Sequence, residues 1–331
     1  MADEESSKLK FLQEIVSKFP KGISLAFAYG SGVFKQEGNI SAENMIDFVF
    51  VVDDSYRWHE ENIALHSSHY SFLKNFGTNA IVTTQDSFGA GVYYNTLVPF
   101  YDRMIKYGVI SLENFQRDMH SWEWLYTSGR LHKPVQIIHR AQGSAVRTAL
   151  NANLASAVNA ALLCLPEEFD EEELYMTISW FSYAGDFRMI VGEDKGKVKK
   201  IVNSNLQGFQ DLYRPLLSKR SDLNLSTPRR TIQQDLSNEH TFSLLQALPD
   251  ALLRRVVRYS TIEGKNVNGN SLNNIAQDRS KCAKYLRQGV VSIVMTSSIT
   301  QSMKGIVTAG LVKTLAYSSQ KLKKMFRGMV R

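Results

Sequence analysis

The strongest constraint on this chain's fold is a pair of apolar segments, "ISLAFAY" at residues 23–29 and "MIDFVFVV" at residues 45–52, separated by a glycine-flanked serine and a polar loop. Both are rich in β-branched and aromatic residues and have the length of ordinary strands. Their close spacing argues for an antiparallel or mixed sheet and against repeated βαβ winding. "AIVTTQ", "GAGVYYNTLV", "RMIKYGVI" and "PVQIIHR" read as further strands. Helices are expected over residues 6–19, ending at Pro20-Lys21-Gly22, and over residues 112–129. From about residue 141 the pattern turns helical, with Asp170 as a cap and acids in the following turn. Residues 218–242 are polar and weakly periodic and read as a linker. The fold class is therefore α/β (α+β): a mixed sheet with helices, then a mostly helical portion, then an amphipathic helix.

The sheet residues carry the first chemical signal. In Tyr29-Gly30-Ser31-Gly32 the glycines let the backbone turn sharply, and exposed amides with a hydroxyl can hold phosphate oxygens. A Gly-Ser-Gly turn is also an ordinary turn, so its neighbour matters. Asp47 lies inside the next apolar strand, where an acid is expensive unless paired, hydrogen-bonded or bound to a cation. A Gly-Ser turn followed by a strand acid suits a nucleotidyl-transfer site, with triphosphate oxygens beside a carboxylate-bound Mg²⁺. The alternative is an edge-of-strand acid facing water.

A second metal-binding acid would sit two residues on, on the same strand face, but that position is Val49. Asp53 shares the face yet lies about 20 Å further along the strand. The best donor of a partner carboxylate is Asp186, after Gly185 and close to Arg188; these two can equally form a local ion pair. Lys106 interrupts an apolar strand and can offer a charge to phosphate, or snorkel to water. His59, His66 and His69 lack supporting zinc ligands, so polar lining of a substrate pocket, with Trp58 and Tyr70 packed around it, is the better reading.

The composition, 44% hydrophobic and 21% charged over 331 residues, is that of an ordinary folded protein of about two domains. Two widely spaced cysteines suggest neither a disulfide framework nor a zinc site. The N-terminal residues fit neither a secretory signal nor an Arg-rich transit peptide. No stretch reads as long enough to cross a bilayer, so membrane contact is expected to be peripheral.

Charge is uneven: after Asp278 there are eleven Lys and Arg and no acid. On a helical wheel Leu311, Leu315, Leu322, Met325, Phe326 and Met329 oppose Lys313, Lys321, Lys323, Lys324, Arg327 and Arg331. This suits an anionic membrane surface, with a helix docked on the protein's own core as the alternative.

"LAFAYGSGVFKQ", "MIDFVFVVDD", "WHEENIALHSSHYSFL", "IKYGVIS", "GDFRMIVGEDKGKV" and "SSITQSMKGIVTAG" together resemble the mitochondrial translocator assembly and maintenance family, the matrix-side phosphatidate cytidylyltransferases (CDP-diacylglycerol synthases). The resemblance runs in order from about residue 21 to 310. It implies that CTP and phosphatidic acid give CDP-diacylglycerol and pyrophosphate with Mg²⁺, in the cardiolipin pathway. It further implies a nucleotidyltransferase domain over 1–140, a helical, winged-helix-like domain over 141–300, and a tail over 301–331 peripheral to the matrix side of the inner mitochondrial membrane.

Carried onto this sequence, Asp47 and Asp186 would bind Mg²⁺, and Tyr29, Gly30, Ser31 and Gly32 would hold CTP. Lys106 and Arg188 would neutralise phosphates, and His69 and Tyr70 would line the substrate site. No nucleic-acid partner is expected, and a homo-oligomer is compatible with the sequence. The competing readings are nucleotidyl transfer to RNA or protein, and a non-catalytic assembly factor tethered to a membrane.

Overall fold

A computed structural model describes residues 2–34, 44–187, 189, 196–226, 231–264 and 271–309. The chain forms two compact units, each with its own core. The first comprises Met1–Gln116, Val135–Val146 and Ser298–Arg331, the second Arg117–Pro134 and Arg147–Ser297. This division differs from cuts at residues 140 and 300: 117–134 pack with the second unit, while 135–140 return to the first because they form a strand of its sheet.

The first unit opens with α1 (Ala2–Ser17), followed by β1 (Ile23–Tyr29), β2 (Ile46–Val52), α2 (Ser55–His66) and α3 (Thr78–Ser87). Then come β3 (Val92–Phe100), β4 (Arg103–Ser111), the start of α4 (Leu112–Ser121) and β5 (Gln136–Arg140). The five strands form one mixed sheet in the order β3-β4-β2-β1-β5. β1 is antiparallel to both β2 and β5, β2 is parallel to β4, and β3 is antiparallel to β4.

Alternation along the strands sorts the side chains onto two faces. Ala26, Ala28, Phe48, Phe50, Tyr107 and Val109 share one, packed with Leu12 and Ile15 of α1 and Trp58 of α2. Phe27, Val49, Val51 and Ile110 are also buried, on the opposite face.

"AIVTTQ", expected as a strand, lies in helix α3. Its inward residues Ile81 and Gln85 are four apart, so a helix buries both, and the left-handed Gly77 (φ +85°) turns the chain into it.

In the second unit α5 (Thr127–Leu131), α6 (Ser144–Leu162, shared with the first unit at its start), β6 (Glu168–Asp170) and α7 (Glu171–Phe181) come first. They are followed by α8 (Lys197–Ser204), α9 (Leu206–Leu217), β7 (Leu223–Ser226), β8 (Thr231–Gln234), α10 (Asn238–Gln246), α11 (Asp250–Gly264), α12 (Ser271–Ala276) and α13 (Arg279–Ala309). Asp170 caps α7 as expected, in a reciprocal capping box with Glu173.

The helix expected over 112–129 stops at Ser121. The cause is Asp118, whose buried carboxylate accepts hydrogen bonds from the backbone N–H groups of Trp124, Leu125, Thr127 and Ser128. These bonds fold the chain back on the helix and end it.

The stretch read as a linker supplies β7 and β8, which join β6 in a three-stranded antiparallel sheet ordered β6-β8-β7. Ile232 enters the core. Gln234 donates to the carbonyls of Leu162, Leu165 and Pro166, so this polar segment is fastened where composition suggested none.

Helix α13 corrects a further expectation, because by length and composition it is long and apolar enough to cross a membrane. Leu286, Val290, Ile293 and Val294 of this helix lie in the second unit's core, as they would in a soluble core helix.

Candidate active site

Asp47 stands near the start of β2, directly opposite Tyr29 of β1 and in register with Lys106 of β4. Lys106 Nζ lies 3.5 Å from Asp47 Oδ1, and the two side chains remain 18% and 25% exposed. The acid is thus paired and partly exposed. Gly30 has a left-handed backbone (φ +82°), and a Cβ built there would stand 3.5 Å from Asp47 Oδ2, so the turn runs past the carboxylate as bare backbone. Carbonyl oxygen Gly30 O accepts from the N–H groups of both Val33 and Phe34, closing the Gly30-Ser31-Gly32 turn. Gly32 cannot carry a side chain, since its Cβ would fall 2.5 Å from the Met45 carbonyl oxygen.

Tyr94 of β3 completes this face. Lys106 Nζ sits 4.4 Å from its ring centroid, and its hydroxyl lies 3.4 Å from that of Tyr29. Lys106 is thereby held between a carboxylate and an aromatic face. Sequence reasoning passed over Tyr94. The available signal was its pairing with Gly108, where a Cβ would come within 2.6 Å of the Tyr94 ring. A glycine inside "IKYGVIS" marks a place where a large neighbour lies across the strand.

The second position for an acid on this strand face is a buried valine, Val49. Asp53 lies beyond the other end of β2, bonded by Ser24.

Asp186 belongs to the second unit. It is buried in the turn after α7, behind Gly185 (φ +79°), whose Cβ would stand 2.6 Å from the Val291 carbonyl oxygen. Arg188 lies outside the described residues, as do Lys313, Lys321, Lys323, Lys324, Phe326 and Arg327. Among the described residues no three His, Cys, Asp or Glu side chains gather as a set of metal ligands.

His69 and Tyr70 are not brought to Asp47. They belong to a buried network on the other face of the sheet. His59 is fully buried, with Nδ1 2.8 Å from the Tyr70 hydroxyl and Nε2 2.9 Å from Gln85 Oε1. Since an amide oxygen can only accept, Nε2 carries the proton and Nδ1 accepts from Tyr70. Asn62 donates to the hydroxyls of Tyr70 and Tyr107, and His69 Nδ1 is 3.0 Å from the latter. Burial lowers the His59 pKa to about 4 and pushes the Tyr70 and Tyr107 phenols up, so the network is neutral. His66 turns instead to the Lys18 carbonyl. The three histidines therefore serve different partners: His59 ties α2 to Tyr70 and to Gln85 of α3, His69 meets Tyr107 of β4, and His66 meets the chain just after α1.

A family profile described as "Phosphatidate cytidylyltransferase, mitochondrial" matches residues 12–324. The chain belongs to this family. Relatives named "Phosphatidate cytidylyltransferase, mitochondrial" include one from Danio rerio, 48% identical over 96% of this chain and 95% of its own length. One from Xenopus laevis is likewise 48% identical, over 96% and 95%. One from Homo sapiens is 45% identical, covering 92% of this chain and 68% of its own length. The family is the one that the sequence motifs resemble. Within the mitochondrial phosphatidate cytidylyltransferase family, then, this chain presents an acid, a lysine and a bare glycine turn on one face of its sheet.

Proposed function

We propose that this chain is a Mg²⁺-dependent phosphatidate cytidylyltransferase, transferring the cytidylyl group of CTP to phosphatidic acid. In that reaction a phosphate oxygen of phosphatidic acid attacks the α-phosphorus of CTP, the bond to the β-phosphate oxygen breaks, and pyrophosphate leaves. CDP-diacylglycerol is the product, and it would feed phosphatidylglycerol and cardiolipin synthesis. A phosphomonoester has a second pKa of about 6 and is largely dianionic near neutral pH. Its oxygen needs alignment and charge neutralisation more than a strong base.

The observation that carries this reading is the Asp47 carboxylate, held by Lys106 and flanked by the backbone of Gly30. A hard, partly exposed carboxylate oxygen suits Mg²⁺, which is commonly bound through one or two carboxylates plus substrate phosphates. When bound, the ion would supply charge stabilisation to the phosphates. Lys106 would neutralise a phosphate oxygen once Asp47 is engaged elsewhere, and the Gly30-Ser31-Gly32 turn would offer amides and a hydroxyl to the triphosphate. Asp186 is the candidate for a second carboxylate and Arg188 for a second phosphate contact.

The names of the relatives support a mitochondrial setting. A peripheral position on the matrix side of the inner membrane, reached through the basic segment after residue 310, completes the reading.

The test is incubation of the purified chain with CTP labelled at the α-phosphate and phosphatidic acid vesicles, with and without Mg²⁺. Labelled lipid and pyrophosphate are expected, lost on chelation. Labelled RNA or protein in place of lipid would overturn the substrate assignment, and absence of any transfer would favour a non-catalytic assembly role.

A further inference from the structure

The last turns of α13 are inside out. Within the first unit Ser298, Gln301, Lys304 and Thr308 are buried, while Ile299, Met303, Ile306 and Val307 are exposed, Met303 to 55%. A helix on a water-soluble surface shows the reverse.

The buried polar face has an evident purpose. Gln301 accepts from the Ala90 N–H and donates to the Val92 carbonyl, and Lys304 donates to the carbonyls of Gln85 and Val92. These bonds satisfy backbone groups between α3 and β3 and fix which side of the helix faces inward. The apolar row is consequently turned outward.

The turn at Phe72–Phe76 adds to that row. Leu73 packs against the Tyr70, Ile81 and Tyr93 cluster, while Phe72 and Phe76 stand 53% and 71% exposed with their rings 6.3 Å apart. Ser71 Oγ is 3.5 Å from the Val307 carbonyl oxygen, so the turn adjoins the end of α13.

We infer that this surface of the folded body, Phe72 and Phe76 with the outward row Ile299, Met303, Ile306 and Val307, inserts into the interfacial layer of an anionic lipid bilayer. The inference rests on the reading that the acceptor substrate is a diacyl phosphomonoester. Two features select a bilayer as the occupant. The row runs directly into residues 310–331, which carry six Lys and Arg and no acid, and so complement an anionic surface. Exposed aromatic and aliphatic side chains beside such a basic segment are the pairing that an interfacial contact uses. With Gln301 and Lys304 bonded to the first unit, the last turns of α13 lie on the bilayer and do not cross it.

The experiment places an environment-sensitive NBD label on the full-length chain at Phe76→Cys, at Met303→Cys and, as a control, at the exposed Glu60→Cys on α2. Both native thiols are poor competitors for labelling: burial raises the Cys164 pKa and holds that of Cys282 at about 12. Vesicles of phosphatidylcholine with phosphatidic acid and cardiolipin should shift emission of the 76 and 303 labels to the blue, leaving the 60 label unchanged. In high salt, with the protein kept on the vesicles by a lipid-coupled tag at its C-terminus, the shift should persist, since apolar insertion is not screened.

Emission unchanged by vesicles would overturn the inference. So would a blue shift that follows protein concentration without lipid, which would make the surface a contact with a second copy. A label already shielded in solution, and released when residues 310–331 are removed, would mean that the chain's own tail covers it.

Phe72→Ser with Phe76→Ser should lower product formation on vesicles about tenfold while leaving activity on a soluble short-chain phosphatidic acid unchanged. Equal activity of variant and wild type on vesicles would sink the insertion alone. A wild type inactive on both substrates would sink the catalytic reading instead.

Discussion

The two faces of the first unit's sheet both hold polar side chains within an apolar core, and they do so by opposite means. On the Asp47 face the groups are ionic, few and partly exposed, with Lys106 against a carboxylate and over the Tyr94 ring. On the other face His59, Asn62, Tyr70, Gln85 and Tyr107 are fully enclosed and neutral, each bonded to another. Burying an unpaired charge costs far more than burying a neutral group with its hydrogen bonds made. A face that must meet a charged ligand therefore keeps its ions near water, while a face that only fastens a helix can discard charge altogether. On the proposed function, the Asp47 face should respond to substitution in rate and the neutral face in stability.

The sharpest separation comes from Asp47→Asn. The amide keeps the shape but removes the charge that holds Lys106 and would hold a cation. A loss of about 10³ in CDP-diacylglycerol formation is expected, the scale of removing a key electrostatic group from an active site. The melting temperature should stay close to wild type, because the pair is partly exposed and surface ion pairs contribute about 1 kcal/mol or less. An active Asp47→Asn protein would end the assignment of this face.

The opposite face is probed by pH. His59 titrates near the ordinary value of 6.5 when unfolded and at about 4 when folded. Between these values the unfolded state binds the extra proton, so stability is complete above about pH 6.5 and is lost as pH falls toward 4. The whole span is worth about 3 kcal/mol. Chemical denaturation at pH 7.5 and 4.5 should show this loss in the wild type and a shallower one in His59→Gln, with turnover per folded molecule retained at pH 7.5. An unchanged slope would assign the acid sensitivity elsewhere. His132, buried in the second unit with its pKa lowered to about 3, would be next.

The difference between the faces also explains what could be read in advance. An acid inside "MIDFVFVV" and glycines after "LAFAY" are local anomalies, visible because each breaks a strand rule by itself, and the structure brings Asp47, Lys106 and Gly30 together. His69 and Tyr70 break no rule. Whether a histidine lines a pocket or satisfies a buried tyrosine depends on which face its helix covers, and no local pattern carries that. Tyr94 was only half visible: Gly108 inside "IKYGVIS" marks a large neighbour across the strand, but that the neighbour is Tyr94 depends on the register. The missed helix α3 and the paired strands β7 and β8 are cases where one or two buried side chains, Ile81 and Gln85 or Ile232 and Gln234, outweigh a weak local preference.

Gly108 and Tyr94 provide the smaller effects, and they test whether Lys106 is positioned or merely present. Gly108→Ala forces a Cβ toward the Tyr94 ring, 2.6 Å from its nearest atom, so either the ring or the strand must move. Overpacking of this kind costs about 1–3 kcal/mol of stability. Turnover should fall as well, because the ring that supports Lys106 is displaced. Tyr94→Phe keeps the ring and removes only the hydroxyl contact with Tyr29, which at 3.4 Å is long for an O–H···O bond. It should therefore change the rate by no more than about threefold, less than one ordinary hydrogen bond's worth. Tyr94→Leu, which keeps an apolar side chain but loses the aromatic face, should fall well below Tyr94→Phe, with kcat reduced more than KM for CTP. Equal rates for the phenylalanine and leucine variants would show that the ring only fills space, and Lys106 would then owe its position to Asp47 alone.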